Sequence, residues 1–115
     1  MRHLKMIGAI SLLVGGAALA HHGWEGYDAD KILKLEGTIA AAGYENPHGT
    51  ATLKTADETW HVVLAPPSRM MSRGLTRDML AEGAKAIVEG YPHRKNAGEL
   101  RAERITIGDK TVELR

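Results

Sequence analysis

The chain has 115 residues, with 15 lysines and arginines against 14 aspartates and glutamates, six histidines and no cysteine. That balance excludes the strong positive field of a nucleic-acid binder. The missing cysteines exclude thiolate metal sites, thiol catalysis and disulfide staples.

The first 20 residues have the layout of a secretory signal. Arg2, His3 and Lys5 make a basic start. Met6 to Val14 is apolar except for Gly8 and Ser11, and Ala18-Leu19-Ala20 closes the stretch with the small-x-small pattern read by signal peptidase. The apolar run of about 15 residues is short of the roughly 20 that span a bilayer, and no Arg-Arg pair precedes it. The expectation is cleavage after Ala20, export to the periplasm or beyond, and no membrane attachment afterwards. The mature chain would begin at His21 with 95 residues, 13 basic side chains and 14 acidic ones. A chain of that size makes one domain with a modest core.

Residues 21–32 are polar and glycine-containing and read as an N-terminal arm; 33–115 read as the folded domain. Leu33, Leu35, Gly37, Ile39 and Ala41 alternate with polar or small neighbours, the period of a half-buried strand. Tyr44 to Pro47 is a turn. His48 to Thr55 alternates again, as does Thr59 to Leu64 after an Ala56-Asp57-Glu58 reversal. Pro66-Pro67 suits the start of a helix, here Ser68 to Arg73 with Gly74 as its stop, and Thr76 is placed to cap one more turn. Ala84 to Tyr91 and Leu100 to Ile107 are two further strands, and Thr111 to Leu114 is a short last one. Three strands, a short helix and two strands are the element order of a mainly β, five-stranded OB-type Greek-key barrel with its helix between strands three and four. The alternative is a small open sheet or sandwich. Ile39, Leu53, Trp60, Val62, Leu64 and Val88 are the expected core, with Met70, Met71 and Met79 as packing residues. Trp24 and Tyr27 are placed to pin the arm to the barrel.

The candidate chemistry lies in five mature histidines: His21, His22, His48, His61 and His93. Cleavage frees an α-amine on His21, and that amine and the ring Nδ1 of the same residue can close a chelate on one metal ion. A further imidazole would complete a planar, nitrogen-rich set, the kind that favours Cu(II). His22 offers a second mode through the amine, its own backbone amide and its ring. His48 and His61 fall on adjacent strands, with side chains expected on one outer face, and are the candidate remote ligands. His93, after Tyr91-Pro92, is the loosest candidate.

Taken in order, several pieces carry a resemblance. They are His21-His22 after the signal, Leu35-Glu36-Gly37-Thr38, Asn46-Pro47-His48, Trp60 to Leu64 followed by Ala65-Pro66-Pro67, Arg73-Gly74-Leu75, and Gly90-Tyr91-Pro92-His93. With these the mature chain resembles an uncharacterised family of small secreted bacterial proteins, a domain of unknown function, and looks like the wider group of periplasmic OB-type domains. The resemblance implies the barrel and the compartment and no activity. Three functions compete: a periplasmic metal-binding module with copper as its ion; a non-catalytic OB-type domain that binds a protein or small ligand; and a copper redox enzyme, for which no residue specifies a substrate pocket. The expected partner is thus a metal ion or a periplasmic protein, and not nucleic acid.

Overall fold

The computed structural model describes residues 24–115; the expected signal segment 1–20 and the pair His21-His22 lie outside them. Six strands follow in chain order: β1 (Leu33–Gly43), β2 (Thr50–Lys54), β3 (Thr59–Val63), β4 (Lys85–Pro92), β5 (Glu99–Ile107) and β6 (Lys110–Glu113). Between β3 and β4 stand a one-and-a-half-turn helix, α1 (Pro67–Ser72), and a 3₁₀ turn, Arg77–Leu80. The strand order is β3-β2-β1-β4-β5, and β3 also pairs parallel with β5, which closes the sheet on itself. This is the expected five-stranded OB-type barrel with its helix between β3 and β4. β6 is a hairpin extension of β5.

Alternation sets the core. Ile39, Leu53, Val62, Leu64 and Val88 are all at most 1 % exposed, together with Leu100 and Ile105 from β5. α1 closes one end of the barrel. Pro67 starts it, Met70 is fully buried beneath it, and Gly74 ends it with a positive φ while the Leu75 N–H bonds back to the Met70 carbonyl at 2.8 Å, a left-handed helix stop.

Four expectations need correction. Ala41 is exposed, not inward, because a bulge between Ile39 and Ala41 inserts a residue against β2 and inverts the alternation beyond it. Trp60 points inward but is only half-buried: it sits at the barrel end opposite α1, where β1 has parted from β2. Met71 is 55 % exposed on the outer side of α1, whereas its neighbour Met70 is in the core. Thr76 stands at the N-cap position of the 3₁₀ turn, but its hydroxyl makes no capping bond.

The adjacent methionines give a direct check. Met70→Ala should cost about 2–4 kcal/mol, as other large-to-small core changes do. Met71→Ala should stay within about 0.5 kcal/mol. Urea unfolding of the two variants measures both; equal losses would contradict this placement of α1.

Candidate functional site

The arm is a built part of the molecule. Trp24 to Tyr27 make a turn, with the Tyr27 N–H on the Trp24 carbonyl at 3.1 Å. Tyr27 then bridges His93 in antiparallel fashion, flanked by bonds from the Asp28 N–H to the Pro92 carbonyl and from the Arg94 N–H to the Gly26 carbonyl, both 2.9 Å. The two arm aromatics lie against the outer side of β4 and β5. The guanidinium carbons of Arg101 and Arg115 each stand 4.5 Å from the centre of the Trp24 ring, and Tyr91 meets that ring edge-on at 6.0 Å. Arg101 is 5 % exposed, the one buried charged residue among those described. Stacking a guanidinium on an indole in such a desolvated place is worth about 2 kcal/mol.

Tyr27 packs edge-on against the His93 ring at 4.9 Å and donates its hydroxyl hydrogen bond to Glu99 Oε2, while Asn96 Nδ2 donates to Glu99 Oε1 at 3.1 Å. Burial alone would raise the Glu99 carboxyl. The bonds from Tyr27 and Asn96, with His93 and His61 near it, outweigh burial and hold it below the ordinary carboxylate range. The Tyr27 phenol is pushed well up, first by burial and then by the Glu99 bond and charge. The outer ion pair of Arg94 with Asp28, 3.9 Å apart and open to solvent, adds little.

The histidines fall at separate places. His61 is exposed on β3, directly across the parallel seam from Glu99. His48 precedes β2, which begins only at Thr50. Thr52 is the residue opposite His61, so His48, four residues earlier in the chain, is not its cross-strand neighbour. His93 ends β4, and its Nδ1 accepts from the Lys95 and Asn96 N–H groups at 3.1 and 3.0 Å. These bonds assign the ring proton to Nε2, so the ring organises the β4–β5 turn. Among the described residues no three His, Asp or Glu side chains are grouped to hold a metal ion. His21 and His22 lie outside those residues. Arg101, Glu99 and Arg115, which with Tyr91 build the seat of the arm, were not singled out from the sequence; they read as ordinary surface charges.

The pinned arm should respond to acid. A carboxyl held low in the folded state stabilises above its unfolded value, about pH 4.3, and that contribution is lost as the pH falls through the folded value. Tryptophan fluorescence of a Trp60→Phe background, which leaves Trp24 as reporter, should show the arm loosening on that acid limb, and Glu99→Gln should flatten it. Identical acid limbs in the two proteins would remove Glu99 from the latch.

A closed barrel with this strand order, helix position and docked arm is a small OB-type domain. The chain belongs to a family of unknown function, DUF6152, whose model matches residues 10–101. No curated protein matches it. Among solved structures it is similar to a chain of the S. pombe Stn1–Ten1 complex, with a TM-score of 0.54 and 17 % identity over 69 % of this chain and 59 % of that one. It is also similar to the ZRD-deleted mutant of TiaS in complex with agmatine, with a TM-score of 0.53 and 19 % identity over 76 % of this chain and 22 % of that one. The chain therefore spans a little over half of the first and about a fifth of the second. At this identity the likeness is one of fold, and fold does not set function.

Proposed function

We propose that the protein is an exported, non-catalytic OB-type module that binds a divalent metal ion, Cu(II) first, at its processed N-terminus. The amine and ring of His21 form the chelate, and an imidazole from the barrel, His61 or His48, completes it. The observation that carries this reading is the seating of Trp24 on Arg101 and Arg115. Three residues of chain reach at most about 10–11 Å, which would keep a terminus at His21 near the Trp24 seat. Tethering reduces the ordering entropy that a free tail would lose on binding. A nitrogen-rich set of amine and imidazoles favours copper over zinc and nickel.

The test is titration of correctly processed protein with Cu(II) against a competing chelator. One tight equivalent is expected, with a tetragonal EPR spectrum showing nitrogen coupling. Acid should release the ion as protons compete for the ligands; a terminal amine ordinarily titrates at about pH 7.7–8.0 and an imidazole at about pH 6.5. Binding no stronger than that of a histidine-free control would overturn it. The second reading, an OB-type domain for a protein or small ligand, is favoured by the fold likeness to a chain found in the Stn1–Ten1 complex. It expects partner capture that survives both metal stripping and removal of the arm.

A further inference from the structure

Among the described residues the ladder of β1 changes partner along its length. β1 pairs with β4 from Leu33 to Thr38, but with β2 only from Thr38 onward. Along Leu33–Gly37 the side of β1 that should face β2 has no strand beside it among the described residues. The direction of its backbone groups follows from Ile39, whose N–H bonds to the Ala84 carbonyl and whose carbonyl accepts from Gly83, both on the β4 side. Successive residues of a strand present their polar groups to opposite sides. Gly37, Leu35 and Leu33 therefore face β4, and the N–H and C=O groups of Lys34 and Glu36 face the gap. The gap is a hollow of about 430 Å³ between β1 and the β2–β3 turn. Its floor is apolar, made by the half-buried Leu33, Leu35 and Trp60, and its rim carries the Glu36, Asp57 and Glu58 carboxylates against the single ammonium of Lys34.

We propose that this gap receives an extended peptide as an added strand on β1, with apolar side chains at alternate positions on the floor and lysine or arginine between them on the rim. An exposed row of strand polar groups is complemented by another peptide backbone, and alternate pockets beside it give the specificity of strand addition. The excess of carboxylates selects a basic segment. Leu33, Leu35 and Trp60 are the anchors, and their incomplete burial is the surface such a peptide would cover. This site is independent of the metal reading.

The probe is an acetylated lysine–valine alternating heptapeptide added to ¹⁵N-labelled processed protein. Its glutamate–valine counterpart and a version N-methylated at alternate residues serve as comparisons. The lysine peptide should slow amide exchange at Lys34 and Glu36 by about tenfold or more and shift the Trp60 indole N–H. The N-methylated peptide should lose this effect. The double change Asp57→Lys with Glu58→Lys, both on an exposed turn, should transfer preference to the glutamate peptide. Equal binding of the N-methylated peptide would overturn strand addition in favour of a simple apolar hollow. Protection that rises with protein concentration in the absence of peptide would overturn it in favour of a second copy on the same edge. Shifts confined to other strands would overturn the site.

Discussion

Gly90→Ala should leave little or no folded protein. Gly90 is buried in β4, next to the register shift between Glu89 and Gly90, and is paired with Leu33 on one side and Ala102 on the other. A methyl group there would lie 2.1 Å from the Arg101 carbonyl oxygen and 2.8 Å from the Ala102 α-carbon. Both obstacles are backbone, so no side-chain rotation relieves them. β5 would have to move, and β5 is the strand that closes the barrel against β3 and carries the Arg101 seat of Trp24. Overpacking of well-filled cores typically costs about 1–3 kcal/mol when side chains can yield; with backbone against backbone we expect more than about 4 kcal/mol, from a total of roughly 5–15. Gly108→Ala is the fitting control. Gly108 has a φ of 63° in the β5–β6 turn and nothing within 4 Å of the added carbon, so only conformational strain of about 1 kcal/mol is at stake. Thermal melts followed by circular dichroism should rank the two in that order. A Gly90→Ala protein melting within a few degrees of the parent would show that the β4–β5 register is wrong.

The barrel was legible because these strands bury one face, so period-two alternation in the first part of β1, in β2 and in β3 survives as a pattern in the residues themselves. Its closure was not. The parallel pairing of His61, Val62 and Val63 with Glu99, Leu100 and Arg101 joins residues 38 positions apart, and nothing local specifies it. The β1 bulge escaped for a related reason: Ala40, Ala41 and Ala42 have no polarity contrast, so the slip in phase left no trace. Trp24 and Tyr27 were visible as anchors because aromatics are rare in this chain. Their seats were not, since Arg101 and Glu99 owe their burial and hydrogen bonding to an arm some 70 residues away in sequence. The histidines show the limit most plainly. Spacing could put His48 and His61 on one face. Only the register shows that Thr52, rather than His48, stands opposite His61, and only the turn geometry shows both neighbouring N–H groups on His93 Nδ1.

N-terminal acetylation should weaken Cu(II) binding at least about a hundredfold, close to 2.7 kcal/mol. The acetyl group leaves every side chain in place, adds no new amine and changes one group: the α-amine of His21 becomes an amide, which must lose a far more tightly held proton before it can bind a metal. The five-atom link from amine to ring Nδ1 then no longer supplies two ready nitrogens, and the remaining imidazoles act as separate, weaker ligands. Intact mass of the exported protein must first show His21 as the leading residue, because a cut elsewhere leaves no such amine. His21→Ala retains the amine and removes its ring, so it should match the acetylated protein if the His21 chelate is used. If the alternative mode through the His22 amide and ring operates, His22→Ala should cause the large loss instead. His61→Ala and His48→Ala should each be compared with the parent, and the one that supplies the third nitrogen should give a partial loss with a reduced nitrogen pattern in the EPR spectrum. His93→Ala should leave the nitrogen pattern of the EPR spectrum unchanged, since its Nδ1 is committed to the Lys95 and Asn96 N–H groups. The advantage of the native end should also fade on acidification, as its amine and rings are protonated. A mature protein that binds copper no better than its acetylated form would eliminate the N-terminal site and leave the barrel surface as the place to look for the ligand.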